Sequence, residues 1–310
     1  MHLMIPFASV LSEAGQQARE TLALPRLEKL LARLSAVEHD SGDEYSLSPP
    51  HERALAQAIG LSGGDGSVPW AACAAARDGI DVGELAWGLL TPVHWQLAAD
   101  HVNLLDPKLL ALDESESRGL LEAVRELFES EGFVLAWGAP LRWYAAHGSL
   151  ADLPCASIDR VIGRDVDVWL TNDPRTRLVR RLQNEVQMLL HTHPINEQRE
   201  ARGALVVNSF WLSGCGVRQH AAADAQLLVD RRLRTPALTE DWAAWVEAWQ
   251  ALDGGPVNDA LGRVERSETL TLTLCGERHA ARFESRRIDL WSRVTQRLRA
   301  PRAQRLLEGL

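Results

Sequence analysis

A helix with clear boundaries is the strongest local constraint on the fold. Asp173-Pro174 is typical of a helix start, because aspartate can cap the first turn and proline is tolerated there. The pattern that follows is apolar at helical spacing until Pro194 interrupts it. Its apolar positions are Leu178, Leu182, Val186, Leu189 and Leu190. The sequence therefore predicts one long amphipathic helix in this stretch.

Other segments alternate between strand and helix patterns. A second helix is predicted from about Asp113 to Ser130, with Gly132 just past its end. Short apolar runs of the kind that form strands occur at Leu3–Phe7, between Glu84 and Asp106, from Phe133 to Tyr144, from Leu205 to Leu212 before a turn at 213–216, and from Thr269 to Leu274. We expect an α/β fold, a mixed sheet with helices on both faces and an antiparallel portion.

The length of 310 residues is close to the size at which one hydrophobic core stops growing. Hydrophobic residues make up 46% of the chain, which is enough for a continuous core. We expect a single α/β domain over residues 1–310, with a possible antiparallel lobe at about 84–150.

The net charge of -9 argues against a large basic surface for nucleic acid or an anionic membrane. The arginines between Arg286 and Arg305 alternate with apolar residues, which is typical of the solvated face of a terminal helix. The four cysteines form no C-x-x-C pair, no membrane span is evident, and the start of the chain lacks the features of a signal peptide. These features favour a cytoplasmic protein in a reducing compartment.

The most informative polar stretch runs from His191 to Gly216. It places polar groups at a helix end, at a helix start and near the end of a strand, where α/β proteins commonly bind ligands. Arg199 is a candidate for holding a phosphate or carboxylate. The candidate ligand-binding residues are His94, His193, Asn196, Arg199, Asn208, Trp211, Gly214 and Gly216.

The same stretch also carries a family resemblance. The run from Asn184-Glu-Val-Gln187 through His193-Pro-Ile-Asn196, with later Arg, Gly, Asn and Trp positions, resembles the RpfE-type, phosphoglycerate-mutase-like proteins of proteobacteria. Thr91-Pro92-Val93-His94 and Arg142-Trp143-Tyr144 add to it. The second half is similar to archaeal-type cofactor-independent phosphoglycerate mutases. This resemblance implies an alkaline-phosphatase-like scaffold and, from the RpfE-type group, a regulatory role.

Active members of that superfamily have an aspartate beside the first strand, a Ser or Thr nucleophile and Asp/His clusters that hold two metal ions. Here the first strand continues into Pro6-Phe7-Ala8-Ser9, with no acidic residue before Glu13. The resemblance therefore implies a catalytically degenerate member. No catalytic residue is assigned from the sequence.

Two functions follow as hypotheses. The first is a regulatory protein that binds a small anionic metabolite or a protein partner, with no cofactor. The alternative is a phosphoglycerate mutase or phosphatase that uses a divalent metal and His94, His191 and His193. His191 and His193 are the metal candidates, although their i, i+2 spacing does not place both on one helical face. Each polar candidate also has a structural alternative, such as a helix cap or an ion pair.

Overall fold

The computed structural model describes residues 1–98, 100–170, 173–222, 226–285 and 302–310. The chain forms two compact units. The first comprises Met1–Glu44, Pro49–Ala58 and Ala223–Leu310, and the second comprises Tyr45–Ser48 and Ile59–Ala222. That both units make up one domain stays a prediction.

The two units contain strands and helices in alternation. The strands are β1 (His2–Ile5), β2 (Leu34–Ser41), β3 (Ala86–Val93), β4 (Trp95–Leu97), β5 (Val102–Leu104), β6 (Val134–Ala139), β7 (Arg142–Ala146), β8 (Ser209–Val217), β9 (Leu227–Val229), β10 (Thr271–Cys275) and β11 (His279–Ser285). The α-helices are α1 (Glu13–Glu20), α2 (Pro25–Leu31), α3 (Pro50–Ala58), α4 (Trp70–Arg77), α5 (Glu114–Glu129), α6 (Ile158–Val161), α7 (Val166–Trp169), α8 (Thr176–His191), α9 (Pro194–Ala201), α10 (Arg234–Leu238), α11 (Trp242–Gly254), α12 (Pro256–Glu265) and α13 (Ala303–Glu308). Short 3₁₀ helices occur at Pro107–Leu110 and Gly148–Leu150.

The first unit is built on a mixed sheet with the strand order β2-β11-β10-β1-β9. Strand β1 is parallel to β10 and β9, whereas β11 is antiparallel to β10 and β2. Leu3 and Ile5 face one side of the sheet and pack with α2, α11 and α12, while Met4 faces the opposite side and packs with α3. This alternation follows from the period of two along a strand. The predicted mixed sheet with helices on both faces is confirmed.

The second unit contains an antiparallel sheet with the order β6-β7-β3-β8. One face packs against α5 and α8, whose apolar stripes share a core with Trp143 and Phe210. The other face packs against the alanine-rich α4. The predicted antiparallel portion is confirmed. Strand β8 also belongs to this sheet, although it lies outside the expected range of about 84–150. Strands β4 and β5 form a separate two-stranded ribbon.

The predicted helices and strands correspond to most of these elements, with one clear correction. Residues 213–216 do not form a turn, because β8 continues through them to Val217. The register between β3 and β8 shifts there, and both Gly214 and Gly216 have positive φ angles. The glycines therefore belong to a bulged strand.

Two sequence predictions concern other parts of the chain. The arginine-rich terminal helix falls largely on residues 286–301, which lie outside the described residues. None of the helices in the described ranges is both long and apolar enough to cross a membrane.

Candidate functional site

A cleft in the second unit lies between the β4–β5 ribbon and the helices α8 and α9. We call it the hairpin cleft, and its volume is about 590 Å³. Its apolar lining is Trp95, Leu97, Val102, Met188, Leu190 and Val206, and its polar lining is Gln187, His191, Asn196, Glu200 and Asn208. Pockets of this size, mainly apolar with a few polar groups, are typical of small-molecule sites.

Asn208 holds β4 in place along one wall of the cleft. Its side-chain oxygen accepts a hydrogen bond from the Trp95 backbone N–H at 2.7 Å, and its side-chain nitrogen donates to the Trp95 carbonyl at 2.9 Å. The carboxamide therefore pairs with both backbone groups of Trp95, as a residue of a neighbouring strand would. This fixes the Trp95 backbone at the wall of the cleft.

Asn196 plays a similar part at the base of the cleft. It is buried, and its side-chain nitrogen donates to the carbonyls of Leu190 and Val207, each at 2.8 Å. Its oxygen accepts the Val207 N–H at 3.0 Å. The side chain thus connects the end of α8 to the segment that leads into β8. These three hydrogen bonds are all to the protein backbone.

Arg199 does not reach the cleft as an exposed cation. The side chain is 0% exposed, and its guanidinium donates to the Leu205 carbonyl at 2.8 Å, to the Glu116 carboxylate at 2.5 Å and to the Leu110 carbonyl. This geometry corrects the expectation that Arg199 holds a phosphate or carboxylate. Arg199 instead connects α9 to the start of α5, because a buried charge requires internal partners.

The three candidate histidines have different environments. His191 lines the hairpin cleft. The His193 Nδ1 accepts the Ile195 N–H at 3.3 Å and caps α9, while the His94 Nδ1–H donates to the Val206 carbonyl at 2.9 Å. Among the described residues, no group of three or more His, Cys, Asp or Glu side chains is placed to hold a metal ion. Within the described ranges, no such group therefore adds a third ligand to His191 and His193.

The remaining candidates pack inside the second unit. The buried Trp211 donates its indole N–H to the Ala156 carbonyl at 2.9 Å. A Cβ on Gly214 would lie 2.8 Å from the Trp70 Cβ, and one on Gly216 would lie 2.9 Å from the Pro69 Cβ. These glycines allow β8 to approach α4 closely. The turn that we expected to bind an anion does not form here, and the two glycines instead allow close packing.

Trp95 is the functional candidate that the sequence analysis did not single out. Its indole Nε1 is buried and has no hydrogen-bond partner among the described residues, and the side chain lines the hairpin cleft. Buried polar groups are nearly always paired, so an unpaired N–H in a residue that lines the cleft makes Trp95 a candidate. The sequence signal was a tryptophan in a short strand, which is also compatible with a core position.

The end of β1 bears on the alternative function. The chain leaves β1 at Ile5, and Phe7 adopts a φ of 58°. The Phe7 ring packs on the His51 ring with centroids 4.9 Å apart, and the Phe7 carbonyl accepts the Trp245 indole N–H at 3.0 Å. An aromatic residue thus follows the strand where the mutase resemblance implies an aspartate.

The fold and the hairpin cleft define an α/β protein with a mainly apolar cleft. No family model and no curated protein matches the sequence. Among solved structures, the chain is similar to a cofactor-independent phosphoglycerate mutase from Thermoplasma acidophilum, with a TM-score of 0.38, 12% identity, and coverage of 100% of this chain and 98% of that chain. It is also similar to the PH0037 protein from Pyrococcus horikoshii, with a TM-score of 0.34, 12% identity, and coverage of 92% and 87%. Similarity at this level does not establish an activity. Membership of the RpfE-type family stays a prediction.

Proposed function

We propose that this protein binds a small metabolite in the hairpin cleft and has a regulatory role, in which occupancy of the site rather than phosphoryl transfer is the output. The observation that supports this most is the Trp95 indole N–H, which is buried without a partner in the wall of a cleft of about 590 Å³. A ligand that supplies an oxygen acceptor would recover the cost of that unpaired donor.

The lining favours a monocarboxylate with an apolar body. Leu97 and Met188 are 81% and 77% exposed, and both line the cleft, so an apolar group can cover them. A carboxylate can accept the Trp95 N–H and contact His191. Glu200 also lines the cleft, and its negative charge disfavours a multiply charged phosphate. The lining thus narrows the anionic metabolite expected from the sequence to a monocarboxylate. Arg199 is not part of the proposed site.

The alternative of a phosphoglycerate mutase or phosphatase has less support. That chemistry uses paired metal ions held by carboxylates and histidines. Within the described ranges no such cluster occurs, and the end of β1 carries Phe7. Ligand binding in the hairpin cleft, without phosphoryl transfer, is therefore the function we propose.

The test is a thermal-shift and calorimetric titration of the full-length protein with hexanoate and 3-phenylpropanoate. Ligands that bind the native state raise the melting temperature by mass action. Trp95→Phe keeps the aromatic ring and removes the donor. Since a hydrogen bond to a charged group contributes about 1.5–3 kcal/mol, we expect an affinity loss of about tenfold or more.

Two controls make the result specific. Trp242→Phe makes the same chemical change in the first unit and should leave the affinity unchanged. Hexanamide and 3-phenylpropanol test the need for a charged acceptor. Equal affinity of the parent and Trp95→Phe would contradict the proposed site, and a Mn²⁺-dependent shift with 3-phosphoglycerate would favour the mutase alternative instead.

A further inference from the structure

Two cysteines of the second unit lie side by side. The Sγ atoms of Cys155 and Cys215 are 3.8 Å apart, and both residues are buried. A disulfide bond is about 2.05 Å long, so the two sulfurs must move closer together by roughly 1.8 Å. A change in side-chain rotamer can bring two thiols in contact to that distance.

The two cysteines differ in how firmly their backbones are held. Cys215 lies in β8, at the register shift opposite β3. Cys155 lies in the irregular segment between the 3₁₀ helix at Gly148–Leu150 and α6, where its N–H donates to the Gly66 carbonyl at 2.9 Å. A loop backbone adjusts more easily than a strand. Cys155 is therefore the partner that can move.

A small cavity borders one of the two cysteines. Its volume is about 30 Å³, and its lining includes Cys155 together with the polar side chains of Arg180 and Gln183. A space of this size holds one or two water-sized molecules. Such a space is large enough for hydrogen peroxide and too small for a bulky disulfide such as oxidised glutathione.

We propose that Cys155 and Cys215 are a modification site at which hydrogen peroxide forms a reversible intramolecular disulfide. The Cys155 thiolate attacks one peroxide oxygen, the O–O bond breaks, and the products are a Cys155 sulfenic acid and, after protonation, water. The Cys215 sulfur then attacks the sulfenyl sulfur, the S–O bond breaks, and a second water leaves with the thiol proton. Two thiols and one peroxide give one disulfide and two waters, so the sulfurs lose two electrons in total.

The environment of Cys215 fits the order of these steps. The contact with Cys155 and complete burial raise the pKa of the Cys215 thiol well above its ordinary value. A thiol that remains protonated is a poor first nucleophile. Cys155, which borders the small cavity, is therefore the first thiol to react, and Cys215 resolves the sulfenic acid.

The test uses the reduced full-length protein, treated with hydrogen peroxide and then denatured and alkylated. Peptide mass spectrometry should find a Cys155–Cys215 cross-link with a mass loss of about 2 Da, which dithiothreitol reverses. Cys73 and Cys275 should remain alkylated and serve as internal controls. Oxidation of Cys73 or Cys275 before the pair, or retention of two free thiols at Cys155 and Cys215, would overturn the proposal.

Two variants separate the steps. In Cys215→Ser, dimedone should trap a sulfenic acid on Cys155, since the resolving thiol is gone. Cys73→Ser should form the cross-link at the parental rate. If Cys215→Ser does not fold, the cross-link measurement on the parent protein still decides the proposal. A Cys155 that gives no dimedone adduct in a folded Cys215→Ser variant would contradict its role as first nucleophile.

Discussion

Polar side chains that resemble ligand-binding groups in the sequence bond mainly to backbone in the structure. Asn208 and Asn196 each replace a strand partner with a carboxamide. Arg199 is enclosed by two carbonyls and the Glu116 carboxylate. A buried polar group must be paired, and a side chain can meet that demand as well as a ligand does. Spacing in the sequence does not distinguish the two cases.

Arg199→Ala should destabilise the second unit strongly. The side chain is 0% exposed, so its removal leaves the Leu110 and Leu205 carbonyls without their donor and weakens the pairing of Glu116. Breaking a buried pair in this way costs about 3–5 kcal/mol. Urea denaturation followed by circular dichroism would measure the loss.

Arg202→Ala is the matched control for that experiment. Arg202 pairs with the same Glu116 carboxylate, but its side chain is 52% exposed. Exposed ion pairs contribute about 0–1 kcal/mol, so we expect a small effect. Equal losses for both variants would mean that the internal contacts of Arg199 do not stabilise the fold.

At the scale of helices and strands, the sequence predicts those elements whose first and last residues are set by neighbouring caps and prolines. Helix α8 begins after Asp173-Pro174 and ends before Pro194, and α5 begins with the Asp113/Glu116 capping box. The turn predicted at residues 213–216 is wrong, because the glycines that indicate a turn instead allow β8 to lie close to α4. That approach depends on residues far away in the chain, so it could not be predicted from local spacing.

Gly214→Ala should be markedly destabilising. Gly214 has a φ of 63°, and an added Cβ would lie 2.8 Å from the Trp70 Cβ. The left-handed conformation costs a residue with a Cβ about 1–2 kcal/mol, and overpacking adds about 1–3 kcal/mol. Thermal denaturation of the purified variant would show a lowered midpoint.

Gly203→Ala separates the two contributions. Gly203 has a φ of 73°, but nothing lies within 4 Å of the position of its Cβ. Only the backbone term applies, so a loss of about 1–2 kcal/mol is expected. A loss in Gly214→Ala no greater than that in Gly203→Ala would argue against close packing of β8 on α4.

For the whole molecule, the apolar patterns of the sequence predict the fold class but not the site. The mixed sheet and the antiparallel sheet follow from alternating apolar patterns, which are local. The hairpin cleft instead combines Trp95 from a short strand with His191 from a helix end and Asn208 from the position just before β8. Trp95 is separated from the other two positions by about a hundred residues of chain, so only the tertiary structure brings them together.

Stability of the first unit should fall as the pH drops below neutrality, because of His279. Burial lowers the pKa of His279 below its usual value, and electrostatic interactions with His39, Arg278 and Arg53 lower it further against the opposing effect of Asp40. Between the lowered pKa and about 6.5, the unfolded chain therefore binds more protons than the folded one. The contribution of His279 is complete above about pH 6.5 and is lost as the pH falls towards the folded-state pKa.

His279→Gln should flatten that part of the profile. Glutamine retains an acceptor for the Gly42 N–H, which bonds to the His279 Nδ1 at 3.3 Å, but it does not titrate. Urea denaturation between pH 5 and 7.5 would compare the slopes, and His220→Gln changes an exposed histidine of the second unit as a control. Because net proton uptake on unfolding sets the slope, an unchanged slope in His279→Gln would assign the acid sensitivity to other groups.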